Sequence, residues 1–128
     1  MTINNFEDLE IWKEARELSK LIFALTLKDP FNKDYRFRNQ IRASSGSIMD
    51  NIAEGFDRDG RKEFIQFLSI AKGSCAETKS QSYRALDFSY ISQDDFDILQ
   101  SKTSQLSKKI RNFMNYLIKS DVKGSKYH

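Results

Sequence analysis

The residue types that most often perform catalysis are scarce in this chain of 128 residues. Histidine occurs once, as His128 at the C-terminal end, and cysteine occurs once, as Cys75. A nucleophilic cysteine needs a neighbouring base, and the di-metal sites of four-helix proteins use paired Glu-x-x-His motifs. The sequence contains neither those motifs nor a glycine-rich phosphate loop. We therefore expect a protein that is not an enzyme and that uses no cofactor and no metal ion.

Basic residues are the better candidates for a binding function, because the chain carries a net charge of +3 and its cations are clustered. One cluster contains Arg36, Arg38 and Arg42, and a second contains Lys108, Lys109 and Arg111. Such residues can contact the phosphates of RNA or DNA without reading the bases. The arginines could instead form ion pairs with the acidic first helix, and a charged run is often only a solvated face.

A polar group surrounds the predicted turn between the second and third helices and consists of Asn51, Glu54, Arg58 and Glu63. Glu54 and Arg58 are one helical turn apart and can pair. Glu63 can cap the third helix by reaching back to Gly60. We interpret this group as a structural network that fixes the turn.

Hydrophobic periodicity predicts the four helices that must position these residues. The helices cover about 6–28, 34–56, 61–87 and 93–120, and 121–128 is predicted to be a flexible tail. Asn32 or Asp34 caps the second helix, and Ser92 with Asp95 resembles a capping box. Long helices with short connections favour an all-α, antiparallel up-down-up-down four-helix bundle within residues 1–120.

Small residues occupy the middle of the second helix (43–47) and of the third helix (71–76). If the turn folds these helices back on each other, Gly46 lies opposite about Ala71 and Ala43 opposite about Ser74. A glycine inside a helix costs about 1 kcal/mol relative to alanine, and a close approach of backbones is the usual compensation. We therefore predict that the helices approach closely where these small residues meet.

Apolar residues also form faces beyond the one stripe per helix that a monomeric bundle buries. These additional residues need another partner, and we predict that they form the interface of a homo-oligomer. They are Leu9, Trp12, Phe23, Leu27, Phe67 and Ile70.

Four short segments form a recognisable set: FEDLEIW at 6–12, QIRA at 40–43, NIAEG at 51–55 and EFxxFLxIAxGS at 63–74. With them the chain resembles a known family, the four-helix-bundle proteins encoded in intervening sequences of bacterial 23S ribosomal RNA genes, also called the S23 ribosomal protein family. Met49 and Gly60 depart from the usual proline and serine of the family. The resemblance covers about residues 6–120 and implies a homo-oligomeric ring, a pentamer, whose net charge would be about +15.

These observations lead to two functional hypotheses. The first is a non-enzymatic ring that binds RNA or DNA non-specifically through its assembled basic surface. The alternative is a protein-protein interaction scaffold for an enzyme or a ribosome-associated partner, with no direct role in nucleic-acid binding. A single cysteine and the absence of a run of about 20 apolar residues predict a cytoplasmic protein without a membrane partner.

Overall fold

The computed structural model describes residues 3–120, and the regular secondary structure of this part of the chain is entirely helical. Four long helices are present, α1 (Glu10–Thr26), α2 (Tyr35–Phe56), α3 (Arg61–Asp87) and α4 (Gln93–Lys119). Short 3-10 helices at Phe6–Asp8 and Phe31–Lys33 precede α1 and α2. Within residues 3–120, none of the helices is both long and apolar enough to span a bilayer. The tail predicted at 121–128 lies outside the described residues.

Each helix packs against the next one along the chain, and α4 also packs against α1. The core between them is built from residues that recur every three or four positions, since this spacing places side chains on one side of a helix. These residues are buried in every helix: Ile11, Ala15, Leu18, Ile22 and Leu25 in α1; Phe37, Ile41, Ile48 and Ile52 in α2; Phe64, Leu68, Ala71 and Cys75 in α3; Phe96, Leu99, Leu106 and Ile110 in α4.

Side chains and backbone groups satisfy the ends of the helices. Asp34 caps α2 by accepting a hydrogen bond from the Phe37 amide at 3.2 Å. Ser92 caps α4 in the same way, through the Asp95 amide at 3.1 Å. Of the two caps that the sequence suggested for the second helix, the structure therefore uses Asp34.

The first helix is shorter than the predicted range of 6–28. Leu9 is extended, with φ −72° and ψ 128°, and separates the 3-10 helix from α1. At the other end the amides of Leu27 and Lys28 bond to carbonyls three residues back, both at 3.3 Å, so the last turn tightens and α1 stops. The placement of Leu9 on an outer face was wrong: Leu9 is only 3 % exposed, because helical periodicity does not apply across the extended residue.

The pairing between α2 and α3 differs from the predicted one by about one helical turn. The Ser47 and Ser74 hydroxyls are 2.9 Å apart, whereas Ser74 was predicted to face Ala43. A helical side chain leans toward the N-terminus of its own helix. On α2 this direction is away from the turn and on α3 it is toward the turn, which accounts for part of the shift.

The close approach of α2 and α3 occurs at a different glycine from the one predicted. A Cβ added at Gly46 or Gly73 would meet no atom within 4 Å. A Cβ at Gly55 would lie 2.6 Å from the Phe67 Cβ and 2.9 Å from the Phe64 Cδ1. The small-residue stretches do meet, since the Ser47 and Ser74 hydroxyls lie 2.9 Å apart, but neither of their glycines is required for that contact. Gly55 in the last turn of α2 is the glycine that permits tight packing.

Candidate nucleic-acid interface

A basic groove of about 340 Å³ runs between α3 and α4. Four cationic side chains line it, Lys72 and Lys79 from α3 and Lys108 and Arg111 from α4. The remaining lining residues are small or neutral: Cys75, Ala76, Thr103, Ser104 and Ser107. None of these nine described residues is acidic, so the positive charge of the groove is not neutralised from within.

Helical spacing explains how the groove arises. Lys72, Ala76 and Lys79 follow one another at intervals of four and three residues and lie along one line of α3. Ser104, Lys108 and Arg111 form the facing line of α4 by the same rule. Because small residues separate the long cationic ones, the two helices enclose a recess with positive charge on both sides.

Hydrogen bonds connect the two walls. Lys79 Nζ donates to Ser104 Oγ at 2.9 Å, which holds the lysine across the groove. Below it, the Cys75 thiol donates to the Thr103 carbonyl at 3.2 Å. Burial raises the pKa of Cys75 to about 11, so this thiol is neutral at physiological pH and serves as a packed hydrogen-bond donor.

The structure divides the cluster of Lys108, Lys109 and Arg111 between two roles. Lys108 and Arg111 are exposed and line the basic groove. Lys109 faces α1, where its Nζ donates to Glu14 Oε2 at 2.6 Å and to Glu10 Oε1 at 2.9 Å. The hydrogen bonds to Glu14 and Glu10 raise the pKa of Lys109, and the bond from Lys109 lowers the pKa of Glu10. Lys109 therefore joins α4 to α1.

The arginines at the start of α2 do not line the basic groove. Arg42 donates from Nε to Thr26 Oγ1 at 2.8 Å, and its guanidinium lies 4.4 Å from the centre of the Phe23 ring. Burial and, to a smaller extent, the charge of Arg38 lower the pKa of Arg42. This arginine ties α2 to the end of α1 through a hydroxyl and a ring.

Arg38 and Arg36 behave differently from Arg42. Arg38 lies 4.9 Å from the Tyr35 ring and donates to the Asn32 carbonyl at 3.1 Å, so it supports the segment before α2. Arg36 is exposed. We expected that carboxylates of α1 could pair with these arginines. Glu10 and Glu14 of α1 pair with Lys109 instead.

Lys72 and Lys79 are the residues that the sequence-based selection missed. Each lies within a helix whose small and apolar residues dominate the pattern, and neither belongs to a dense basic run. Their spacing of seven residues was the available signal, because it places both on one face of a helix.

The polar group near the turn splits into two contacts. Asn51 Nδ2 donates to the Ser47 carbonyl at 2.8 Å and to the Ser47 hydroxyl at 2.9 Å, and so supports the contact between α2 and α3. Arg58 lies 3.1 Å from Glu54 and its guanidinium is 5.0 Å from the Phe67 ring. Glu63 stands in the first turn of α3, with Oε1 close to Gly60.

The apolar residues predicted for an oligomer interface fall into several environments. Phe23, Leu27 and Ile70 are 50 %, 56 % and 52 % exposed. Trp12 and Phe67 are half-buried, and each lies beside an arginine, Arg16 at 5.8 Å from the Trp12 ring and Arg58 beside Phe67. Phe23 lies near the start of α2, whereas Phe67 contacts the end of α2. Leu9 belongs to the core, so five of the six residues remain candidates for a contact between copies.

A second groove, of about 400 Å³, lies between α2 and α3 and differs in charge from the first. Glu77 and Arg84 both line it, together with the polar side chains of Gln40, Ser44, Ser47 and Gln81. Ser44 Oγ is 2.9 Å from Thr78 Oγ1 and also donates to Gln81 Oε1. Because opposite charges line this groove, it suits an anionic ligand less well than the groove between α3 and α4.

Within residues 3–120, no set of three or more histidine, cysteine, aspartate or glutamate side chains is placed to hold a metal ion. The structure and its surfaces thus define a class, a small all-α protein of four packed helices that carries a cationic groove.

Comparison with known proteins then identifies the family. Residues 7–112 match the 23S rRNA-intervening sequence protein family, and the chain belongs to this family. A crystal structure of a protein with unknown function from the S23 ribosomal protein family of Bacteroides thetaiotaomicron is similar to this chain, with a TM-score of 0.74 and 20 % sequence identity. The similarity covers 81 % of this chain and 97 % of that one and establishes the shared fold. A comparison with curated proteins found no match to this chain.

Proposed function

We propose that this protein is a non-enzymatic, ring-forming member of its family that binds RNA or DNA non-specifically. In this proposal the helices form an antiparallel up-down-up-down bundle, and copies of the bundle assemble into a ring, a pentamer as the family resemblance implies. The surface that contacts the nucleic acid is the basic groove between α3 and α4, repeated once in each copy.

The composition of the basic groove is the observation that carries the proposal. Four cations line one recess, and none of the described residues that line it is a carboxylate. The cations are Lys72, Lys79, Lys108 and Arg111. Phosphate contacts release condensed counterions, and their contributions to affinity add up. A ring would present the same four cations several times along one nucleic acid, which increases the apparent affinity through effective concentration.

Exposed apolar residues support the assembly of copies. Phe23, Leu27 and Ile70 each leave about half of a large apolar side chain in contact with solvent. Burial of apolar surface contributes roughly 25 cal/mol per Å², so a contact that covers these residues in each copy favours association.

A salt titration tests the binding function. The affinity for a labelled RNA and for a labelled DNA is measured by fluorescence anisotropy at several salt concentrations, for the natural chain and for the double variant Lys108→Ala with Arg111→Ala. We expect the affinity to fall as salt rises, and we expect the double variant to reduce the slope of log K against log salt by about 1.4 to 1.8, the value for two lost phosphate contacts.

Lys102→Ala provides the matched control for this titration. Lys102 belongs to the same helix as the groove residues but lies beside Glu10, Glu14 and Glu17 of α1. The control removes one positive charge and should leave the slope unchanged. An affinity that is undetectable at low salt, or that does not vary over a tenfold range of salt, would contradict the proposal.

The second candidate function is a protein-protein interaction scaffold, and the groove between α2 and α3 favours it. Glu77 and Arg84 line this groove together with amide and hydroxyl groups, a mixture suited to a peptide surface. Affinity capture with and without nuclease distinguishes the candidates: a direct protein partner remains bound after nuclease treatment, whereas a partner bridged by nucleic acid is lost.

A further inference from the structure

An exposed aromatic ring continues the line of cations on α3. Lys72, Ala76, Lys79 and Tyr83 are separated by four, three and four residues, so all four lie along one side of the helix. With a rise of 1.5 Å per residue, Tyr83 stands about 6 Å beyond Lys79 and about 16 Å beyond Lys72 along the helix axis. Tyr83 is not part of the lining of the basic groove, and it follows Lys79 one helical turn further along the same face of α3.

Tyr83 is held in place but remains accessible. Its ring lies 4.9 Å from the Phe96 ring at an interplanar angle of 70°, an edge-to-face contact between α3 and α4. Phe96 is buried, whereas Tyr83 is 51 % exposed. Packing on Phe96 restricts the tyrosine side chain, and the open half of its surface is available to a ligand.

Hydrogen bonds connect α3 and α4 between the basic groove and the Tyr83 ring. Gln100 Nε2 donates to Ser82 Oγ at 2.6 Å and to the Lys79 carbonyl at 3.3 Å. This amide of α4 therefore bonds to α3 at the level where the cations end and the aromatic residue begins. The relative positions of Lys79 and Tyr83 are set by a packed part of the structure.

From this arrangement we propose that the basic groove binds single-stranded nucleic acid in preference to a duplex. The cations hold consecutive phosphates, and one unpaired base stacks on Tyr83. A duplex offers its phosphates to the lysines, but its bases are already stacked inside the helix and present no free face to the ring. Sequence-tolerant stacking on aromatic side chains beside a cationic groove is how many proteins bind single strands.

This inference rests on the proposed function and adds the class of nucleic acid that the groove selects. Asp87 lies one helical turn beyond Tyr83. Its negative charge disfavours further phosphates in that direction, so we expect the contacted segment to be short, a few nucleotides in each copy.

Three probes of equal length test the proposal in fluorescence anisotropy at one salt concentration: a uridine RNA strand, a deoxyuridine DNA strand and a DNA duplex. We expect both single strands to bind at least fivefold more tightly than the duplex. Comparison of the RNA and DNA strands shows which of the two sources the groove prefers, because only RNA carries the 2′-hydroxyl.

Variants of Tyr83 test the stacking contact. Tyr83→Ala should weaken single-strand binding by at least fivefold and leave duplex binding and the salt slope unchanged, because the ring makes no phosphate contact. Tyr83→Phe keeps an aromatic ring and should bind within twofold of the natural chain. Tyr83→Leu retains apolar bulk against Phe96 without an aromatic face, so it should lose binding as the alanine variant does, even if the alanine variant folds poorly.

Tyr35→Ala is the matched control, since Tyr35 is an exposed tyrosine at the start of α2, outside the groove. Equal affinity for duplex and single strands, or full single-strand affinity in Tyr83→Leu, would overturn the inference and leave non-specific binding intact. Failure of all three probes to bind at low salt would instead overturn the proposed function.

Discussion

Gly55 is the position at which this structure makes its sharpest prediction about stability. In the last turn of α2, a Cβ at this position would lie 2.6 Å from the Phe67 Cβ and 3.4 Å from the Phe64 carbonyl oxygen. Both of these atoms are attached directly to the backbone of α3 or belong to it, so rotation of a side chain cannot relieve the contact. Gly55→Ala therefore requires α3 to move away from α2.

The magnitude follows from two opposing effects. Overpacking of a well-packed core costs about 1–3 kcal/mol, whereas alanine is favoured over glycine inside a helix by about 1 kcal/mol. Because the closest atoms cannot rotate away, we take the upper part of the first range and expect a net loss of about 1–2 kcal/mol. For a chain of this length, such a loss lowers the melting temperature by several degrees.

Gly73→Ala is the matched control, because a Cβ at Gly73 in α3 would meet no atom within 4 Å. This variant should gain stability, by up to about 1 kcal/mol, through helix propensity alone. Thermal and urea unfolding are followed by circular dichroism at one protein concentration, since assembly makes the melting temperature depend on concentration. The reasoning is refuted if Gly55→Ala is as stable as the natural chain, or if both variants lose stability equally.

Four further predictions follow from individual contacts. Ser89 has φ 61° after α3, where the amides of residues 89 and 90 bond back to the helix, so Ser89→Gly should raise the free energy of unfolding by about 1 kcal/mol in urea titrations. The pKa of Glu10 is lowered in the folded state by Lys109, so this contribution to stability is present above the unfolded pKa and is lost as the pH falls through the folded pKa. In Lys109→Met the melting temperature should accordingly fall less between about pH 6 and about pH 3 than in the natural chain. Cys75 is 1 % exposed and burial raises its pKa, so a disulfide thiol reagent should modify it at about pH 8 only after unfolding. The absorbance of the thiolate that the reagent releases on reaction would show this. Trp12→Ala should weaken assembly more than it unfolds the subunit, and sedimentation of a folded variant with the size of the natural protein would contradict this placement.

The core of each helix could be predicted from the sequence because helical periodicity is a local property. The residues of α3 that repeat in steps of four and three, from Phe64 through Leu68, Ala71 and Cys75, are all buried. The cap at Ser92 was also readable, since it depends on residues only three positions apart. The Glu54 and Arg58 pair belongs to the same class of short-range contact.

Only half of the cations in the basic groove could be predicted, because membership of the groove depends on contacts between helices and not on local spacing. Lys108 and Arg111 were selected from a dense basic run, but the neighbouring Lys109 points to Glu10 and Glu14 across the contact between α4 and α1. Whether a cation on a helix faces a groove or a neighbouring carboxylate depends on how that helix is rotated against its partners. That rotation is set by the packing of the whole core.

The sequence alone determined the number of helices, their buried faces and the family, since each of these depends on local spacing or on short motifs. The tertiary structure decided which small residue permits close packing, which cations share a groove, and that Leu9 lies inside. Contacts between helices depend on axial shift and rotation, and a shift of one turn moved the partner of Ser74 from Ala43 to Ser47. Periodicity along one helix contains no information about that shift, because it describes a direction around a single axis and not a position along its neighbour.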